Sequence, residues 1–223
     1  MENIPGRQLV RKNQMYCPRA FREERLDILH ELIKAYPLAT LITNGPNGLM
    51  ANLIPFSLVH DGKNGILQAH VARNNSQLDS IREASEALVI FQGPQCYVTP
   101  SWYPSKAKDG KQVPTWNFVM VQARGKPTVI ENTSWLLTQL NNLTSHLESS
   151  RDHPWRVSDA PENYIAAQLK GLVGIEIPIS TIEGKWKVSQ NRSEIDRKGV
   201  IAGLQAENAC PAMSQLMNSN FNT

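Results

Sequence analysis

Two glycine-rich turns dominate the first third of the chain, Asn44-Gly45-Pro46-Asn47-Gly48 and Asp61-Gly62-Lys63-Asn64-Gly65. They separate three apolar, β-branched runs, LATLIT (38–43), LMANLIPFSLVH (49–60) and ILQAHVA (66–72). Turns this short join only antiparallel neighbours, because a parallel pair needs a crossover of about a dozen residues or more. An antiparallel meander is therefore predicted, with Pro55 marking an edge or a bulge in its second strand. Further strands are expected at 87–93, 95–100, 115–130, 172–180 and 184–189. Helices are expected at 21–36, 74–86, about 133–149, 161–170 and 193–205. The first carries a stripe of Leu26, Leu29, Ile33 and Tyr36 and stops at Pro37. Asn74, Asn75 or Ser76 is the N-cap candidate of the second. Residues 1–16 lack periodicity and read as an N-terminal arm, and 206–223 as a weakly patterned tail. No internal repeat or Pro/Gly/Ser linker divides the chain. The expectation is one α+β domain over 1–223, a closed or nearly closed antiparallel sheet with flanking helices.

Composition narrows the class. Apolar residues make up 41% and charged residues 19% of the 223, which excludes disorder over most of the length. No apolar run approaches the ~20 residues of a membrane span. The basic N-terminus lacks the apolar stretch of a secretory signal. Cys17, Cys96 and Cys210 are odd in number and far apart, so free thiols in a reducing, cytoplasmic setting are expected. A net charge of +3 does not require a nucleic-acid partner. Basic clusters at Arg7–Arg11–Lys12, Lys106–Lys108–Lys111 and Lys185–Lys187–Arg192 read as solvated edges or as phosphate contacts.

The motifs of P-loop, dinucleotide-binding, zinc-protease and serine-hydrolase sites are absent, and the five histidines have no metal-ligand spacing. Chemistry here would have to be carried by something borrowed. Three segments invite it. Ala69-His70-Val71-Ala72-Arg73-Asn74-Asn75-Ser76 puts an imidazole and a guanidinium where a strand runs into a helix, whose free N–H groups suit an anionic phosphate. The same residues also suit a plain N-cap beside an exposed Arg. Pro100–Lys106 together with Val113–Asn117 gathers Trp102, Tyr103 and Trp116 with Lys106 and Asn117 around one loop. That set offers a flat heteroaromatic ring a stacking face and a few donors, or else supplies core anchors. Lys185–Arg192 follows a strand with Ser189, Gln190 and Asn191, whose amides can pair with a pyrimidine-like edge or simply shape a turn.

Five motifs in order, MYCPRAF (15–21), LQAHVARNN (67–75), FQGPQCYVTPSWY (91–103), VPTWNF (113–118) and KVSQNRS (187–193), resemble the PaiB family of FMN-binding negative transcriptional regulators. The resemblance implies an FMN-binding split β-barrel, normally a homodimer with the flavin between subunits. It implies His70, Arg73 and Asn74 at the phosphate, and Trp102, Lys106, Trp116 and Asn117 at the ring or its rim. Ser189, Gln190 and Arg192 would complete the site, from the second subunit if necessary. Where superfamily members often carry Ser-Arg-Lys, this chain has Ala72-Arg73-Asn74.

The expected function is thus that of an FMN-binding repressor-like regulator. The alternative is an FMN-dependent oxidoreductase drawing on NAD(P)H or another small electron donor, in which the protein supplies orientation and water exclusion. Haem is a more distant variant needing an axial histidine such as His70 or His153. Direct DNA binding is weakly supported, because the helices at 133–170 lack the short turn and basic face of a helix-turn-helix.

Overall fold

A computed structural model describes residues 14–46 and 48–221. The chain runs β1 (Arg22–Glu23), α1 (Leu26–Ala35), β2 (Leu38–Gly45), β3 (Gly48–Pro55), β4 (Ser57–Val59), β5 (Ile66–Ala72) and α2 (Gln77–Glu83). It continues through β6 (Ala87–Val98), α3 (Lys106–Asp109), β7 (Thr115–Gly125), β8 (Thr128–Ile130), α4 (Thr133–Glu148) and α5 (Glu162–Lys170). It ends with β9 (Leu172–Pro178), β10 (Thr181–Lys187), α6 (Glu194–Ala206) and α7 (Pro211–Phe221). The predicted arm lies outside the described residues except for 14–16.

All pairings are antiparallel, as the tight turns require. They form a six-stranded sheet in the order β1-β10-β7-β6-β2-β3 and a four-stranded sheet in the order β4-β5-β9-β8. Two runs that read as single strands are divided between the sheets. The run 49–60 breaks at Phe56, whose buried ring turns the corner while its N–H donates to Pro37 O at 2.8 Å. The run 115–130 breaks at Lys126-Pro127, where proline cannot donate to a ladder. Gly125 permits the crossing, since a Cβ there would stand 2.1 Å from Pro178 O. Conversely, 87–93 and 95–100 join as one strand, β6, with its register shifted between Gln92 and Gln95. Local sequence marks bulge and corner alike with Gly and Pro, and only barrel closure distinguishes them.

The barrel interior alternates with the pleat. Leu41, Val89, Phe91 and Val121 from one sheet meet Leu67, Ala69, Ile175 and Ile177 from the other. Helix α1 begins at Leu26 rather than at 21, because Arg22–Glu23 pairs as β1. Of its predicted stripe Leu29 and Ile33 are buried against this core, joined by Leu32, while Leu26 and Tyr36 are half-buried. The segment after Pro211, weakly patterned in sequence, forms α7 and buries Met213 and Met217 completely. Two methionines among Ser and Asn make too thin a stripe to detect by periodicity.

The outer face of the six-stranded sheet is apolar at one end. By register, Leu53–Thr40–Ile90 and Ala51–Ile42–Leu88 share that face, with Leu49 beyond them and Met120 on β7. Leu49 and Leu53 are 77% and 65% exposed. No helix among the described residues is long and apolar enough to cross a membrane.

Candidate functional site

The end of β5 places three of the expected residues. His70 points outward from the four-stranded sheet beneath α4, with Nδ1 2.8 Å from Gln139 Oε1, and Gln139 is buried. That contact engages Nδ1 of the imidazole; His153 is exposed. Arg73 is tied by its Nε to Lys170 O at 3.1 Å and by Nη2 to Leu172 O at 3.2 Å. The first carbonyl ends α5, whose C-terminus favours a cation, and the second opens β9. Nη1 faces Glu131 at 3.4 Å. Asn74 is exposed. Asn75 provides the side-chain turn into α2, accepting from Gln77 N at 2.9 Å.

Six of the remaining seven residues lie on the six-stranded sheet and the loops at its end. Asn117 is fully buried and its Nδ2 donates to Ser189 Oγ at 2.9 Å. Ser189 sits at φ +66, a left-handed conformation unusual for serine that the Asn117 pair helps hold. Gln190 Oε1 accepts from Val188 N at 2.8 Å, and its Nε2 donates to Trp186 O. Both amide atoms of Gln190 therefore serve its own turn. Arg192 lies over the Tyr103 ring, 4.9 Å from its centroid, and donates to Gln112 Oε1 at 3.1 Å. Trp116 is 54% exposed and meets Tyr97 edge-on, so it presents an open aromatic face beside the cluster. Lys106 is exposed on α3. Trp102 does not join them. Its indole rests on Gly203 of α6, while its backbone carbonyl and Pro104 lie against Gly199, and its Nε1 donates to Glu207 Oε1 at 3.0 Å. Trp102 is an anchor for the loop.

Sequence reasoning overlooked the residues that hold this cluster. Asp196 is buried and accepts from Ser105 N at 3.1 Å, Ser105 Oγ at 2.9 Å and Ser193 Oγ at 2.9 Å. Burial alone would raise its carboxyl pKa. The donors from Ser105 and Ser193, with the Arg192 charge, outweigh that and hold it below the usual aspartate range. Lys187 donates to Thr115 Oγ1 at 2.6 Å and to Trp116 O. Burial, then the charges of Arg192 and Lys185, hold its ammonium below the ordinary lysine value. Lys187 opens the KVSQNRS motif and belongs to a basic cluster, so the signal was present. Asp196 offered only a carboxylate three residues after Ser193 at a helix start.

The chain thus carries, on different sheets, a guanidinium at the end of β5 and an aromatic, cationic cluster where β7 begins and β10 ends. The donor chemistry suits an anionic group at the first and a flat ring at the second.

A chain whose strands close two antiparallel sheets into a barrel, with its helices outside, belongs to the α+β split-barrel class. Solved structures share that fold. The FAD- and haem-binding protein from Mycobacterium smegmatis superposes with a TM-score of 0.56 at 17% identity, covering 74% of this chain and 73% of its own. The conserved hypothetical protein Rv2991 from Mycobacterium tuberculosis does so with a TM-score of 0.57 at 10% identity, covering 81% and 95%. The family is fixed by sequence: residues 15–181 match the family model described as "Putative FMN-binding domain", and the chain belongs to this PaiB-type FMN-binding family. Among its relatives, an uncharacterised protein of Aspergillus fumigatus is 35% identical, over 86% of this chain and 91% of its own. The Bacillus subtilis "Protease synthase and sporulation protein PAI 2" is 29% identical, over 93% and 98%.

Proposed function

We propose that this chain is an FMN-binding homodimer with a regulatory role, its flavin held between the β5 end of one copy and the Trp116–Lys187–Arg192 cluster of the other. What supports the reading most is membership of an FMN-binding family over 15–181 together with two half-sites that one chain keeps on separate sheets. The exposed outer face around Leu49 and Leu53 supplies the apolar surface a second copy would cover. Arg73 and Asn74 would take the phosphate. Trp116 would offer its face to the ring, with Lys106, Lys187 and Arg192 around its polar edge. Asn117, Ser189 and Gln190 would act from behind by fixing the turn that carries Arg192. FMN, when bound, supplies the capacity to accept and release electrons.

The regulatory role rests on the resemblance to the PaiB regulators, whose Bacillus relative here is named for protease synthase and sporulation, and direct reading of DNA is not its favoured route. The helix pair α6–α7 is joined by 207–210, as short as a helix-turn-helix requires. Its second helix, PAMSQLMNSNF, carries no Lys or Arg for phosphate contact.

The test is an ultraviolet–visible spectrum of purified protein, mass spectrometry of any released flavin, and titration with FMN and riboflavin. FMN binding near 1:1 per chain is expected. Arg73→Ala should weaken FMN by about 1.5–3 kcal/mol and riboflavin far less, because only FMN carries the phosphate. Absence of flavin binding refutes the proposal. Consumption of NADH or NADPH by the flavin-loaded protein would instead establish the oxidoreductase reading at the same site.

A further inference from the structure

Arg73 is not alone in facing Glu131. Arg82, on α2, places Nη2 3.4 Å from Glu131 Oε1, the same oxygen that Arg73 Nη1 meets at 3.4 Å. Two guanidiniums from different segments therefore converge on one carboxylate oxygen. Neither makes a two-point fork with it. The backbone carbonyls of Lys170 and Leu172 fix the rest of the Arg73 fork, leaving its Nη1 edge turned to Glu131. Arg82 is steadied from the other side by Asp79 at 3.6 Å.

The geometry is that of a carboxylate occupying a place better suited to a larger anion. Charge-assisted N–H···O bonds settle near 2.7–2.9 Å, whereas both contacts here are single-point and long. All three side chains are about half exposed, so the contacts are weak and displaceable. A phosphate dianion offers three oxygens where Glu131 directs one at both guanidiniums. Glu131 is held there by the end of β8, which packs along α2, so it would remain close to an arriving phosphate and repel it.

We infer that Arg73 and Arg82 form a two-guanidinium phosphate clamp, and that Glu131 is its built-in competitor, lowering affinity for the nucleotide tail. This rests on the flavin reading above and adds to it a second phosphate-binding residue and a device that sets affinity. Glu131 acts as an affinity brake. With two arginines against Glu131 and Asp79, the unliganded cluster is close to neutral, and removing Glu131 leaves it positive before ligand arrives.

The experiment titrates wild type, Glu131→Gln and Arg82→Ala with FMN and, separately, with riboflavin, reading quenching of flavin fluorescence at low and moderate salt. Glu24→Gln, at an exposed carboxylate paired with Arg22, controls for the change in overall charge. Glu131→Gln should tighten FMN by on the order of 5- to 10-fold at low salt, a gain that shrinks as salt rises. Riboflavin affinity should stay unchanged. Arg82→Ala should weaken FMN by on the order of 10-fold without affecting riboflavin. FMN binding that is the same in all variants, or changes that riboflavin or Glu24→Gln reproduces, overturns the clamp while leaving the flavin reading intact. FMN binding by none of the proteins overturns both.

Discussion

Replacing Gly203 with alanine sets two effects of known sign against each other. In the middle of α6, alanine is favoured over glycine by about 1 kcal/mol through backbone entropy. The added methyl, however, would stand 2.4 Å from Trp102 Cγ and 2.5 Å from both Cδ1 and Cδ2. The indole is the flat lid of this contact, and its Nε1 bond to Glu207 at 3.0 Å stops it from sliding along the helix cheaply. Overpacking of this kind costs about 1–3 kcal/mol. Gly203→Ala should therefore be neutral to about 2 kcal/mol destabilising in the native protein. In a Trp102→Ala background the obstruction is gone and the same substitution should stabilise by about 1 kcal/mol. A double-mutant cycle by urea denaturation, followed by far-ultraviolet circular dichroism, should return a coupling of about 1–3 kcal/mol. An identical effect of Gly203→Ala in both backgrounds would refute the assignment of Trp102 as a ring laid on α6 and reopen it as a ligand-facing residue.

Further outcomes concern the same cluster and the sheet face. Asp196→Asn should cost about 1–3 kcal/mol at neutral pH by weakening the donors from Ser105 and Ser193. Because the carboxyl pKa is lower folded than unfolded, the advantage of aspartate is complete above its ordinary value of 3.8 and fades as pH falls through the folded value. Stability curves of the two proteins should converge in acid; a gap independent of pH would mean that packing, not charge, is at stake. On the proposed dimer, Leu53→Arg should turn a dimeric mass in light scattering into a monomeric one while leaving circular dichroism unchanged; a dimer that survives the change would place the interface elsewhere. Burial, and then the neighbouring Cys210, push the Cys96 thiol up to about 11. At pH 8 only about one molecule in a thousand then carries the thiolate. Iodoacetamide should modify Cys96 far more slowly in the native protein than in urea, and equal rates would contradict its place in the core.

Alternation and turn chemistry made the hairpins legible: β5 falls at 66–72 as read, because a half-buried strand between two turn signals needs no distant information. The helix of α1 and the span of α4, expected at about 133–149 and found at Thr133–Glu148, were readable for the same local reason. The five motifs carried the family, since they record residue identities that survive whatever the packing does. Tertiary structure alone decided where the chain changes sheets, at Phe56 and at Lys126-Pro127, because closure of a barrel is a property of all its strands together. It also converted an unpatterned tail into α7, whose two buried methionines are stabilised by the core they cover. The candidate site divides in the same way. Residue type marked Arg73, Trp116 and Arg192, while folding alone revealed that Trp102 lies on α6, that Gln190 serves its own turn, and that Glu131 meets Arg82 and Arg73 across 49 and 58 residues of sequence. A sequence states which charges and rings are available, but their partners are set by chain crossings that no local pattern encodes.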